Sequence, residues 1–393
     1  MKLCIVAGES SGDLHGSHLM KGILDLDPQC EIMYWGGELM DRVYTERKGV
    51  SGLVEHYRKG AVMGFVDVVR NAGALLRKLG DCTRKIASYA PDCLILIDYP
   101  GFNLRVAERI HRLGIPVFYY IAPKVWASRE RRLSTLRESV DRLFIVFPFE
   151  KKYFDSKGMP YIYEGNPLLD SVPLRTVSPE EGKAFFERAS LEPCRYVALL
   201  PGSRKDEVSR MIPPLRSFVS LMGAIPQYCD MHFIVAGAPG REKEEYASLL
   251  ECDPSRIHLL YGETPSILSH AEAGIINSGT ASLEACLIGT PQVVGYATSP
   301  LNYLLAKSLI KVNWVSLTNL ILGRGAVKEL LQEHLTGENL LGEVRRILED
   351  REYRETMERD YSTVRELLGG SGASGRIAKS MMEELGKVKA EKQ

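Results

Sequence analysis

Three clusters of residues in this sequence carry side chains suited to polar chemistry. Ser278-Gly279-Thr280 stands between an apolar run ending in Ile275 and Ile276 and a helical pattern, with Glu284 one turn in. A strand–turn–helix of this kind leaves the first backbone N–H groups of the helix without internal partners, at its positive dipole end. Small residues there let a phosphate reach the backbone, hydroxyls add donors, and a carboxylate such as Glu284 accepts from a ribose hydroxyl. Taken alone, the segment reads equally as an ordinary capped helix in an α/β sheet. The second cluster is Gly202-Ser203-Arg204 in the run PGSRKDE. Gly202 and Ser203 would offer backbone donors, and Arg204 a planar cation that suits a diphosphate through two parallel hydrogen bonds. Its plainer reading is an exposed loop with a solvated arginine, but two such helix starts in one half of the chain favour a nucleotide diphosphate. Neither loop is a Walker motif, and GESSGD near the N-terminus lacks the spacing of a dinucleotide loop. The third cluster is Asp98, at the end of LILID and before Tyr99-Pro100-Gly101-Phe102-Asn103. A carboxylate there suits a general base; a helix-entry or turn aspartate is the competing reading.

Two further stretches couple apolar side chains to cations. Val62, Met63, Phe65 and Val66 follow His56-Tyr57-Arg58-Lys59, and form either core or a loop that dips into a membrane surface or receives acyl chains. Trp126 lies beside Lys124, Arg129, Arg131 and Arg132, which suits an interfacial or phosphate-bearing ligand, or else a solvated helix face. The eight histidines share no ligand spacing, and the eight cysteines form no CxxC pair, so neither a metal site nor a disulfide framework is expected. Fifty basic residues balance fifty acidic ones, which gives no electrostatic reason to expect nucleic-acid binding. No run is long enough to cross a bilayer, and MKLCIVAG enters a strand directly, so a cytoplasmic chain with at most peripheral membrane contact is expected.

The elements that position these residues alternate from the start. Strands are predicted at Leu3–Ala7, Glu31–Trp35, Cys93–Ile97 and Val117–Ile121, with GESSGD as a loop and helices over 14–26 and 104–113. The spacing of Leu75, Leu76, Leu79, Cys82 and Ile86 predicts another helix. The rhythm breaks over 171–193, read as a linker, and restarts at Tyr196–Leu200. A helix interrupted by Pro213-Pro214 follows, then strands at His232–Ala236, Ile257–Tyr261, Ala273–Asn277 and Gln292–Tyr296. From Ala326 onward the chain reads as helical, with a flexible break at Gly369–Gly375, a terminal helix and a frayed KVKAEKQ tail. With 393 residues this makes two domains, 1–170 and 194–368, and a tail 369–393 that packs on the first domain or on a neighbour. Ligands of open α/β sheets bind outside the C-terminal strand ends, which selects GESSGD, DYPGFN, PGSR and NSGT, facing one another across a cleft.

Taken in order, the motifs resemble a known family. AGESSGD, GG-x-x-M (36–40), VMGFVDV, DYPGFN, YYIAPKVWA, FPFE (147–150), GNPLLD (165–170), LLPGSR, NSGTASLE and LTNLILGRGAVKELLQ follow the pattern of lipid-A-disaccharide synthases, from the N-terminus to about Gln332. The chain departs from that pattern at Ser10, where Ala is usual, at Asn166, where His is common, and at Ser128, where a second aromatic is often found. The resemblance implies a GT-B-like α/β fold of two Rossmann-like, doubly wound parallel-sheet domains with a helical C-terminus. It implies an inverting glycosyltransferase of lipopolysaccharide synthesis in Gram-negative bacteria. That enzyme joins UDP-2,3-diacylglucosamine to 2,3-diacylglucosamine 1-phosphate (lipid X), at the cytoplasmic face of the inner membrane. The implied catalytic base is Asp98. The implied nucleotide-binding set is Gly202, Ser203, Arg204, Ser278, Gly279, Thr280 and Glu284, completed by Asn319 and Glu329 in the late motif. Acceptor and lipid are implied to meet Glu9, Ser11, Asp13, Val62, Met63, Phe65, Asn103, Lys124, Trp126 and Arg129. No metal or other cofactor is expected. The competing readings are another GT-B-fold UDP-sugar enzyme, such as a UDP-GlcNAc 2-epimerase or a peptidoglycan-type N-acetylglucosaminyltransferase, and a non-catalytic nucleotide-sugar-binding protein.

Overall fold

The computed structural model describes residues 1–59, 72–126, 130–172, 178–299 and 313–392. They form two compact units, one of residues 1–170 with 368–393 and one of residues 171–367. In the first unit, the apolar runs become β1 (Lys2–Ala7), β2 (Glu31–Gly36), β3 (Leu53–His56), β4 (Cys93–Ile97), β5 (Val117–Tyr120), β6 (Arg142–Ile145) and β7 (Ile162–Tyr163). They pair side by side in the order β3-β2-β1-β4-β5-β6-β7, every pairing parallel. In the second, β8 (Tyr196–Leu200), β9 (His232–Gly237), β10 (Ile257–Tyr261), β11 (Ala273–Asn277), β12 (Gln292–Tyr296) and β13 (Lys328–Leu331) follow the order β10-β9-β8-β11-β12-β13. These pairings are parallel too. Each order runs outward one way from its first strand and then reverses, which places a switch point between β1 and β4 and another between β8 and β11. Open α/β sheets bind ligands at that point, because the two loops diverge there and leave a crevice.

Both faces of each sheet are covered, so the central strands are buried at every position and apolar or glycine except for Asn277 at the end of β11. In the first sheet, Leu3, Ile5 and Ala7 pack on one face with helix Ser10–Leu26, while Cys4 and Val6 pack on the other. The first face is completed by the last helix, Ala373–Lys392, whose Ile377, Ala378, Met381, Leu385 and Val388 lie at helical spacing in that core. The two helices approach closely: a Cβ on Gly22 would sit 2.8 Å from the Cβ of Ala378. Arg142 at the start of β6 also binds this helix, donating to Glu384 at 2.5 Å and Glu391 at 2.8 Å.

Several expectations are corrected. GESSGD is mostly helix, because Ser10 already begins the first helix. The stretch 171–193 is no bare linker, since helix Pro179–Ala189 sends Phe185 and Phe186 into the core of the second unit. Pro213 and Pro214 do not interrupt helix Lys205–Gly223, whose buried face of Met211, Ile212, Leu215, Phe218, Val219 and Met222 carries it through. The late segment is not all helical, for Lys328–Leu331 is an edge strand beside β12. The terminal helix starts inside the Gly/Ser break and continues to Lys392.

Asp13 also has a use other than the one implied for it. It is 2% exposed, and its carboxylate accepts from the backbone N–H of Gly37 at 2.7 Å, Leu39 at 3.0 Å and Met40 at 3.1 Å. It thereby caps helix Glu38–Lys48 from across the β1–β2 edge, which explains the GG-x-x-M motif: a Cβ on Gly37 would stand 2.7 Å from this carboxylate. Replacing Asp13 by Ala strands those buried donors and is expected to destabilise the first unit by about 2 kcal/mol or more, read as a lower urea midpoint. Unchanged stability with a raised acceptor KM would return Asp13 to the ligand-binding set.

Candidate active site

At the switch point of the first sheet, β4 ends in two consecutive residues with positive φ, Asp98 at 43° and Tyr99 at 48°, and Ile121 after β5 has φ 64°. Such conformations cost on the order of 1–3 kcal/mol each in non-glycine residues and persist only where the surroundings impose them. The restraints are visible. Asp98 donates its N–H to the Tyr120 carbonyl at 3.0 Å, and its own carbonyl accepts from the Tyr119 hydroxyl at 2.6 Å and Asn103 Nδ2 at 2.8 Å. Asn103 is fully buried and also reaches the carbonyls of Val6 at 3.3 Å and Ile97 at 3.2 Å. Its Nδ2 therefore ties the ends of β1 and β4 together, while its Oδ1 is buried with no hydrogen-bond partner among the described residues. The Tyr99 ring lies over Gly8, where a Cβ would come within 2.3 Å of it. The result is a half-buried carboxyl, Asp98, on a backbone fixed from three sides. Beside it, Glu9 is exposed at the start of the first helix and Ser11 is half-buried in its first turn.

The loop after β5 carries Lys124, which is exposed, and Trp126, which is half-buried. Trp126 donates from Nε1 to Glu150 Oε1 at 3.1 Å and meets the Phe149 ring edge-on at 4.8 Å. Glu150 is 1% exposed and accepts as well from the backbone N–H of Val146 at 3.2 Å and Phe147 at 3.0 Å. Sequence reasoning missed Glu150, although FPFE places a glutamate at the third position of a helix, where it reaches back to the helix start. Val62, Met63, Phe65 and Arg129 lie outside the described residues.

In the second unit the loops after β8 and β11 meet at the switch point. Gly202 has φ 120°, and a Cβ there would stand 2.7 Å from the Cβ of Glu207 and 3.0 Å from Asn277 Nδ2, so only glycine fits. The N–H of Ser203, expected to be offered to a ligand, instead donates to Glu207 Oε2 at 3.0 Å, as does the N–H of Arg204 at 3.2 Å. Glu207 closes the start of helix Lys205–Gly223 by the same third-position device, and what the loop projects is the Arg204 side chain, 70% exposed and 3.5 Å from Glu207. The β11 loop differs. Helix Thr280–Ile288 begins at Gly279 with no side-chain cap, and the space where a Gly279 Cβ would stand is empty to 4 Å. Thr280 is exposed in its first turn. The Ser278 hydroxyl is already spent, donating to the Val315 carbonyl at 3.0 Å. Glu284 faces inward, and burial pushes its carboxyl up from the ordinary range.

Asn319 and Glu329, implied as nucleotide contacts, are bonded to each other at 2.8 Å. Glu329 also accepts from the N–H groups of Val315 at 3.0 Å and Ser316 at 2.9 Å, and Asn319 Oδ1 from those of Ala326 and Val327 at 2.8 and 2.9 Å. The pair organises the segment that receives the Ser278 hydroxyl, and so acts on the β11 loop from behind.

Two doubly wound parallel sheets, each with Gly- and Ser-rich loops at its switch point, define a GT-B-like α/β protein. Solved structures of that fold resemble it over almost the whole chain. A UDP-GlcNAc 2-epimerase from Neisseria meningitidis bound to UDP-GlcNAc matches with a TM-score of 0.66 and 16% identity, covering 98% of this chain and 100% of that one. The 2-epimerase from Methanocaldococcus jannaschii in complex with UDP-GlcNAc and UDP gives 0.65 and 15%, with the same coverage. At such identities the likeness is one of fold. The chain itself belongs to the lipid-A-disaccharide synthetase family, whose model matches residues 3–380. It is 36% identical over 387 residues to the lipid-A-disaccharide synthase of Geobacter metallireducens, covering 98% of each chain. It is 35% identical to that of Myxococcus xanthus, covering 98% of this chain and 97% of the other. It is therefore a glycosyltransferase of the hexosyltransferase class.

Burial raises the Glu150 carboxyl from 4.5 to about 7, against the pull of its three hydrogen bonds and of Lys124. The folded chain thus holds a proton that the unfolded chain releases between those values. This contribution to stability is complete below pH 4.5 and lost as pH rises through about 7. The melting temperature of the wild type relative to Glu150→Gln is expected to fall as pH rises across that window; a difference independent of pH would contradict the assignment.

Proposed function

We propose that this chain transfers the diacylglucosamine of UDP-2,3-diacylglucosamine to the 6-hydroxyl of 2,3-diacylglucosamine 1-phosphate, giving the β-1,6-linked disaccharide 1-phosphate and UDP. The observation that carries the reading is the pairing, within the second unit, of the exposed Arg204 and the uncapped helix start at Gly279 on adjacent strands β8 and β11. In the proposed transfer, that pair meets the leaving diphosphate. The acceptor oxygen attacks the anomeric carbon as the bond from that carbon to the phosphate oxygen breaks, so the α-linked donor gives a β product. Asp98 takes the proton of the acceptor hydroxyl, and its fixed backbone holds the carboxyl in place for that transfer. Negative charge then grows on the departing UDP. The Arg204 guanidinium and the N–H groups at Thr280 meet it without rearranging, and this stabilisation needs no divalent ion. Glu284, four residues into the same helix, accepts from the ribose.

The acyl chains place both substrates at a membrane surface, and the proposal includes peripheral contact with the inner membrane from the cytoplasmic side. Among the described residues no helix is long and apolar enough to cross a membrane. Helix Ala72–Tyr89, next in the chain after the Val62–Val66 run, exposes Leu76 with Arg77, Arg84 and Lys85, a combination suited to an anionic lipid surface.

Mass spectrometry of products formed from diacylated donor and acceptor tests the reaction itself: the disaccharide 1-phosphate is expected, and conversion of UDP-GlcNAc instead would overturn the reading. Asp98→Asn is expected to lower turnover by about 10²–10⁴ with near-normal UDP affinity, as for a lost general base. Retained turnover removes Asp98 from that role. Arg204→Ala is expected to weaken UDP binding measured by calorimetry, and unchanged affinity would refute its place on the diphosphate.

A further inference from the structure

Asn277, the last residue of β11, is 5% exposed, and its Oδ1 is buried with no hydrogen-bond partner among the described residues. The other positions of this strand are apolar or glycine, and all of them are buried. A buried amide oxygen without a donor is costly, and an apolar residue would pack there at no such cost. The amide is nonetheless accommodated at the expense of its neighbour. Its Nδ2 lies 3.0 Å from where a Cβ of residue 202 would stand, at a backbone φ of 120° that already favours glycine. Asn277 therefore sits between the two loops of the switch point, directly before the uncapped start of helix Thr280–Ile288.

The chemistry of the free atom selects its ligand. Phosphate oxygens only accept, so the diphosphate cannot satisfy Oδ1; the partner must carry an O–H or N–H. The ribose belongs to Glu284, one turn further along the helix. In a nucleotide-linked hexosamine, the remaining donors next to the diphosphate are the hexose hydroxyls and the N–H of the 2-acylamido group. We propose that Asn277 Oδ1 accepts a hydrogen bond from the donor hexosamine, so that this residue reads the sugar and leaves the nucleotide to its neighbours. The inference rests on the transferase reading above and adds a specificity residue to it.

The test compares wild type, Asn277→Ala and Asn277→Ser, using UDP-2,3-diacylglucosamine as donor and UDP alone as the sugarless probe. Asn277→Ala is expected to lower kcat/KM for the donor on the order of tenfold while the Kd for UDP stays within twofold, which also reports a folded second unit. Asn277→Ser, which restores a short acceptor, is expected to recover part of the loss. An equal fall in UDP affinity would make Asn277 a nucleotide contact and overturn the proposal, as would an unchanged kcat/KM. Wild-type enzyme that released no UDP from this donor would overturn the transferase reading itself, a result distinct from a silent Asn277 in an active enzyme.

Discussion

A helix that follows a parallel strand opens with N–H groups that have no acceptor inside the helix, and something negative must meet them. In this protein that requirement arises at the C-terminal edge of both sheets, and it is met in two ways. Asp13 serves helix Glu38–Lys48, Glu150 serves the helix from Pro148, and Glu207 serves the helix from Lys205. Glu329 likewise holds the segment that leads into helix Leu317–Leu322. At Gly279, as at the helices from Ser10, Pro100 and Thr264, no side-chain cap is seen among the described residues. The carboxylates build a rigid frame of loops, and the proposed transfer puts the substrate diphosphate at a helix start that has none.

The same division separates framing residues from those to which the proposed transfer gives a role. Asn103, Asn319 and Ser278 lie in motifs that suggest ligand contact, yet Asn103 Nδ2, Asn319 Oδ1 and the Ser278 hydroxyl bond to backbone and hold strand ends and loops in register. Asp98, Arg204 and Glu284 instead present a half-buried carboxyl, a projecting guanidinium and a half-buried carboxyl raised by desolvation. Three of the six non-glycine residues with positive φ among those described, Asp98, Tyr99 and Ile121, directly follow β4 and β5, the strands whose loops carry the proposed base and Lys124. Strain of that kind is tolerated because Tyr119, Asn103 and the neighbouring carbonyls over-determine the backbone.

The central strands were legible in the sequence because a sheet covered on both faces needs unbroken apolar runs, as in CLILI and YVALL. The edge strands Leu53–His56, Ile162–Tyr163 and Lys328–Leu331 were not, nor was the interior Arg142–Ile145, since they are short, with two to four residues, whereas the five-residue edge strand Ile257–Tyr261 was. Loop positions were legible from strand–turn–helix order, and with them Asp98, Arg204 and Gly279. Which way each polar group would spend its bonds was not legible, for that depends on partners far along the chain: Asp13 answers to Gly37 and Met40, and Ser278 to Val315. Glu150 and Glu207 did carry a signal, a glutamate three residues after the residue that begins the helix. The unsatisfied oxygen of Asn277 had none, because only burial reveals it.

The account stands on fixed protein charge and dipoles holding the leaving diphosphate. The most direct measurement is the steady-state rate of UDP release, with both diacylated substrates, in saturating chelator and in added magnesium. Equal rates within about twofold are expected from electrostatics supplied by Arg204 and the Thr280 helix start. Loss of turnover in chelator, restored only by magnesium or manganese, would contradict it.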